Sequence, residues 1–196
     1  MDNWTTSTQT PEHETPARPA RNRAASAVKD IIQLALIVVL LRVGLDTLVP
    51  RYVVDGASME PNFHTNERVI VDRFTMLLSG PSRGDVVVLD SPTTPDELLI
   101  KRVIGLPNER IVIRDGRVYV NGALLDETYV AEFCTSRACN GEWQLGPDEY
   151  FVLGDNRNHS LDSHSFGPVS ASSIVGIARV RYWPPTQADL LSAPDY

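Results

Sequence analysis

Ile111-Val112-Ile113-Arg114-Asp115-Gly116-Arg117-Val118-Tyr119-Val120 sets two apolar, β-branched runs on either side of an Asp-Gly pair, and Asn121-Gly122 follows at once. Both dipeptides tolerate the positive φ of a two-residue hairpin turn, so the stretch predicts a hairpin and then a second turn. Outward from it, the segments Tyr52 to Val54, Arg68 to Asp72, Asp85 to Leu89 and Leu98 to Ile104 read as strands. So do Glu149 to Gly154 and Ile174 to Trp183 downstream, whereas helical periodicity is scarce. Pro184 and Pro185 close the folded part. The fold class is therefore mainly β over residues 50–185, with 186–196 left as a C-terminal tail.

Upstream the pattern changes. Residues 28–49 are apolar, interrupted between Ile31 and Leu41 only by Gln33, and at helical rise they span about 33 Å, enough for a bilayer core. The expectation is one transmembrane helix, ended by Pro50, with Arg42 and Asp46 able to pair on one face near its outer end. A cleaved signal peptide is the rival reading, but no small-x-small site follows Leu41 before the Val49-Pro50-Arg51 stretch. A buried core helix is disfavoured because Leu34 to Leu41 show no polar face. Residues 1–27, rich in Thr, Pro, Ala, Asn and Arg, read as a disordered tail. Arg18, Arg21, Arg23 and Lys29 lie in or beside that tail, which places it in the cytoplasm and the β domain on the outer face.

The net charge of -7 resides downstream of residue 50, since the first fifty residues hold five basic and five acidic side chains. There is no basic stripe for phosphate, so nucleic acid is not an expected partner. Histidines 64, 159 and 164 have no metal-ligand spacing, and no phosphate loop or Gly-x-Ser-x-Gly elbow is present. No metal or organic cofactor is expected.

Three stretches could carry chemistry. Val53-Val54-Asp55-Gly56-Ala57-Ser58-Met59-Glu60-Pro61 offers a serine between small residues, which alone reads as readily as a turn. Lys101, within Leu98-Leu99-Ile100-Lys101-Arg102-Val103-Ile104, is either a solvent-facing strand residue or a desolvated, neutral base for a hydroxyl nucleophile. Gly154-Asp155-Asn156-Arg157-Asn158-His159-Ser160-Leu161-Asp162-Ser163 is a polar turn that could also brace a site.

Together with Arg83-Gly84-Asp85-Val86-Val87 and Gly105-Leu106-Pro107, these stretches, in this order from the anchor to about Trp183, resemble bacterial type I signal peptidases. The resemblance implies a signal-peptidase-like β catalytic domain behind one N-terminal transmembrane helix. It also implies a Ser-Lys dyad with Ser58 as nucleophile and Lys101 as general base. Ser160 would help orient the lysine, and Arg102 and Asp162 would form a supporting ion pair. Substrate would add as a strand beside Tyr52 to Gly56 and Leu98 to Ile100, touching Val54, Asp55, Gly56, Met59, Leu99 and Ile100. The implied partners are the lipid bilayer and preproteins with Ala-x-Ala-like cleavage sites, with the enzyme monomeric in a bacterial cytoplasmic membrane.

The chain departs from that pattern at three places. Gly56 stands where some members carry a serine hydroxyl as second oxyanion donor. Asn108 replaces the usual glycine after Leu-Pro, in a turn that asparagine tolerates. His164 replaces the usual arginine, which makes the support around Asp162 pH-dependent if the imidazole takes its place. Cys134 and Cys139 are either an oxidised pair in an outward-facing domain or two free thiols. Two rival functions stand beside the peptidase. One is a self-cleaving repressor-like Ser-Lys protease, against which an anchor argues. The other is a non-catalytic, membrane-tethered β domain that binds cell-envelope proteins.

Overall fold

The computed structural model describes residues 23–194. The chain divides into two compact units, 1–42 and 43–196. Helix α1 (Arg23–Leu48) contains a 23-residue apolar segment, Ser26–Leu48, of mean hydropathy 2.1. It starts earlier than predicted because Arg23, Ala24, Ala25 and Ala27 are good helix formers. The rest of the predicted tail, residues 1–22, lies outside the described residues. Consecutive large side chains from Leu36 to Leu41 are all exposed, so the helix is apolar on every side.

Twelve strands follow among the described residues: β1 (Arg51–Val53), β2 (Arg68–Asp72), β3 (Val86–Asp90), β4 (Leu98–Gly105), β5 (Arg110–Arg114), β6 (Arg117–Val120), β7 (Ala123–Leu124), β8 (Gly141–Gln144), β9 (Glu149–Leu153), β10 (Val169–Ser170), β11 (Ile174–Trp183) and β12 (Asp189–Leu190). The main sheet runs β1-β2-β11-β3-β4-β9-β10, with β12 also on β11, and a smaller sheet runs β7-β6-β5-β8. Every pairing is antiparallel. The mainly β fold read from the sequence is thus the fold observed.

The hairpin at the centre of the sequence argument is β5–β6. Arg114 pairs with Arg117 across Asp115 (φ 49°) and Gly116 (φ 73°), a turn with both central residues left-handed that matches the strand twist. Asn121 (φ 51°) and Gly122 (φ 88°) repeat the device before β7. Ile111, Ile113, Val118 and Val120 point inward from this hairpin and pack with Leu145, Phe151 and Leu153 of the chain returning to the main sheet. A second cluster joins Val54, Met59, Phe63, Val69 and Val71 to Val86, Val88 and Ile100, and so ties the serine loop to the sheet.

Short elements escaped the sequence reading. Helix α2 (Arg73–Ser79) forms because the Asp72 side chain accepts the Thr75 N–H at 3.0 Å, a local cap with no periodicity behind it. The residues expected as a tail after Pro185 instead include β12, which pairs Asp189 and Leu190 with Arg181 and Val180. A two-residue strand is too short to show alternation.

Candidate active site

The loop between β1 and β2 carries Ser58, and the middle of β4 carries Lys101. Met59 is fully buried and packs among Val54, Phe63 and Val69, which pins the residue next to Ser58 into the core. Lys101 is 2% exposed, in a strand whose neighbours Ile100, Val103 and Ile104 are also buried. Its Nζ donates to Ser58 Oγ at 2.8 Å and to the Ile100 carbonyl at 2.9 Å. Burial strips water from the ammonium and lowers its pKa to about 8, although the negative charges of Asp162, Asp155 and Glu97 pull it upward. An amine that sheds its proton near neutrality, in contact with a hydroxyl, has the geometry of a base beside a nucleophile.

Behind the pair stands the turn from Gly154 to Ser163. Asp162 is fully buried; it accepts the Gly154 N–H at 2.8 Å and lies 2.6 Å from His164 Nδ1. It also caps helix α3 (Ser163–Phe166) through the His164 N–H. His164 therefore occupies the supporting place that the sequence left open. The hydrogen bond to Asp162 raises the His164 pKa. The stability this gives is complete below the ordinary histidine pKa and is lost as pH rises through the raised value.

Two expectations need correction. The guanidinium fork of Arg102 goes to Asp155 and not to Asp162: Nε and Nη2 donate to its two oxygens at 2.8 and 2.6 Å. Asp155 begins the turn directly after β9, on the strand that pairs Leu153 with Arg102, so it meets the guanidinium first. Arg102 also donates to the Gly84 carbonyl and lies 4.2 Å from the Tyr129 ring centroid. Ser160 does not bond the lysine, for its Oγ is buried with no hydrogen-bond partner. The hydroxyl sits instead over Gly154. A β-carbon at Gly154 would run into Ser160 Oγ and the Ser58 carbonyl oxygen, so glycine is required there by close approach. Gly154→Ala is expected to lower turnover about 100-fold and to destabilise the fold by about 1–3 kcal/mol. Turnover and urea unfolding of the variant check this.

The residues expected at the substrate do not all lie together. Val54, Asp55, Leu99 and Ile100 line a shallow cleft. Gly56 and Met59 do not line it, and the burial that makes Met59 an anchor removes it from the surface. The sequence reading missed Val69 and Val88 in the lining. Their place behind the cleft follows from sheet order, which no local pattern encodes. β1 pairs with β2 alone, and β9 joins β4 only from Arg102 onward. The far side of β1 and the Leu98–Ile100 stretch of β4 therefore offer two unpaired edges to one cleft, among the described residues.

The supporting residues missed in the sequence are polar partners distant along the chain. Glu127 forms a buried double ion pair with Arg157, at 2.5 and 3.1 Å. Asn62 Nδ2 bridges Asp155 and the Tyr129 carbonyl. Cys134 and Cys139 are joined as a disulfide, and the loop they close meets the turn where Asn158 accepts from Thr135. Among the described residues no cluster of three or more His, Cys, Asp or Glu side chains could hold a metal ion.

Comparison with known proteins finds relatives by sequence. A signal peptidase I-2, named as probable, from Synechocystis sp. is 39% identical over 167 residues, covering 79% of this chain and 72% of the relative. The signal peptidase I of Leptolyngbya laminosa is 37% identical over 196 residues, covering 91% and 92%. A solved signal peptidase I from Enterococcus faecalis is 33% identical, with a TM-score of 0.43, covering 50% of this chain and 95% of that one. The family model described as signal peptidase, peptidase S26 matches residues 24–183, and the chain belongs to that family.

Proposed function

We propose that this member of the signal peptidase I family is a membrane-bound serine endopeptidase in which Ser58 is the nucleophile and Lys101 the general base. The single observation that carries the reading is the 2.8 Å contact between Lys101 Nζ and Ser58 Oγ, made by a lysine that burial brings to a pKa of about 8. Neutral Lys101 takes the hydroxyl proton as Ser58 Oγ attacks the scissile carbonyl, then gives that proton to the leaving amine. Water is activated by the same amine to release the acyl group. Arg102 and Asp162 act from behind, through Asp155 and through Gly154 and His164.

The substrate is a preprotein bound as an added strand between β1 and the start of β4. Its backbone is recognised by the two open edges, and a shallow apolar floor selects small side chains of the Ala-x-Ala type. Helix α1 is the anchor in the lipid bilayer, with the N-terminal segment, whose Arg18, Arg21 and Arg23 lie close in sequence to the helix start, in the cytoplasm and the β domain on the outer face of a bacterial cytoplasmic membrane. The enzyme acts as a monomer and needs no metal or organic cofactor.

The test is cleavage of a preprotein with an Ala-x-Ala site by the purified chain in detergent, with the product N-terminus sequenced. A cut after the second alanine, lost when that alanine becomes phenylalanine, is expected. Failure to cut several such preproteins overturns the reading in favour of a binding domain. The base also dictates the pH profile. Only neutral Lys101 is competent, so kcat/KM should rise roughly tenfold per pH unit below about 8 and level above it. A profile falling from pH 6 to pH 8 contradicts Lys101 as base.

A further inference from the structure

One residue of the turn touches the backbone of the nucleophile directly and has no part in the dyad. Asn156 donates its backbone N–H to the Ser58 carbonyl at 3.0 Å and its side-chain Nδ2 to the Ala57 carbonyl at 3.0 Å. A carbonyl can only accept, so the amide nitrogen faces Ala57, and the amide oxygen lies 3.3 Å from His159 Nδ1 on the other side. The Ala57 carbonyl also accepts the Glu60 N–H at 3.2 Å, within its own turn.

A trans peptide is planar, with its C=O and N–H on opposite edges. Fixing the Ala57 oxygen against Asn156 therefore turns the Ser58 N–H away from the Gly154–Ser163 turn. Among the described residues that N–H has no acceptor. An unsatisfied amide donor at the nucleophile, held in one direction from behind, is what a developing oxyanion needs. Gly56, whose own N–H donates to Thr65 Oγ1, brings no hydroxyl to the hole, so its direction depends the more on this one donor.

We propose that Asn156 is a positioning residue for the oxyanion site: its side-chain amide orients the Ala57–Ser58 peptide so that the Ser58 N–H meets the tetrahedral oxygen. The inference rests on Ser58 being the nucleophile. Asn156→Ala leaves the Glu60 N–H on Ala57 and loosens the peptide. Asn156→Asp keeps the shape but sets a carboxylate oxygen against the Ala57 carbonyl, which drives the peptide out of position.

The experiment uses the full chain in detergent. It measures kcat and KM on a preprotein, inhibition by a peptide aldehyde ending in alanine, and binding of the matching peptide amide. The aldehyde forms a hemiacetal with the nucleophile and places its oxygen in the hole; the amide does not. Asn156→Ala should lower kcat and aldehyde affinity together by about tenfold, and Asn156→Asp by about 100-fold, while KM and amide affinity move less than twofold. A kcat loss without the aldehyde loss, a loss confined to KM, or no loss in either overturns the proposal. Asn156→Asp, close to isosteric, keeps it testable if the alanine variant misfolds. Ser58→Ala in the same assay separates the two claims. If it cuts as well as wild type, the nucleophile assignment has failed; if it is inactive while the Asn156 variants bind aldehyde normally, only the positioning claim has failed.

Discussion

Ser58→Ala is expected to lower preprotein cleavage by about 10⁴-fold or more while leaving the thermal midpoint within a few degrees of wild type. The catalytic loss is large because the substitution removes the proposed nucleophilic oxygen, and among the described residues Lys101 Nζ hydrogen-bonds no other hydroxyl. Ser160 does not substitute for it, since its Oγ lies over Gly154 and bonds nothing. The structural loss is small because the hydroxyl's hydrogen bond is to Lys101, and the loop is held by other groups. Met59 anchors it in the core, and its carbonyls accept from Asn156, Glu60, Asn62 and Phe63. Cleavage at wild-type rate by a folded Ser58→Ala chain would remove the serine from the mechanism. A folded variant without activity, still able to bind the peptide amide, is the expected result.

How much of this was legible beforehand depends on whether a feature is local. The β5–β6 hairpin was readable because Asp115-Gly116 and Asn121-Gly122 declare their backbone conformation within two residues. The long strands were readable from their β-branched runs. Ser58 and Lys101 were readable as a pair only through the order of several motifs, since each alone also fits an ordinary turn or strand residue. What stayed hidden depends on which segments fold back on which. That Arg102 meets Asp155 and not Asp162 is decided by the register between β4 and β9, which sets Leu153 opposite Arg102 and so brings Asp155, two residues on, to the guanidinium. Glu127 lies 30 positions from Arg157 in sequence, in a stretch without periodicity, so nothing local announced a buried ion pair. The role of Gly154 is similar. Its glycine looked like part of a polar turn, and only the approach of Ser58 and Ser160 shows that a β-carbon cannot fit. Caps and two-residue strands, such as α2 and β12, are set by single hydrogen bonds and carry too few residues for a pattern.

Lys101→Met should move activity and stability in opposite directions. Methionine is nearly isosteric and apolar, so it fills the lysine's place in β4 without a buried charge. Cleavage should fall by about 10⁴-fold because no base remains. Stability should rise. The folded chain holds Lys101 at a pKa of about 8 and the unfolded chain at its ordinary 10.5, a difference that costs the wild-type fold about 3 kcal/mol when the lysine is protonated. Losing the bonds to Ser58 Oγ and the Ile100 carbonyl offsets part of that gain, leaving an expected net of about 1–3 kcal/mol at pH 7. The sign against pH follows from proton counting. Below pH 8 the lysine is charged in both states and the cost is complete. Between about 8 and 10.5 the unfolded chain binds more protons, so wild-type stability gains on the variant as pH rises; above that range both states are neutral and the charge cost is gone. Urea unfolding of wild type and Lys101→Met at pH 7 and pH 10 therefore reads the burial of this amine directly. A larger advantage for the variant at pH 7 than at pH 10 fits a desolvated base. An equal difference at both pH values would mean that Lys101 titrates like a solvated lysine, and the 2.8 Å contact with Ser58 would then lose its catalytic meaning.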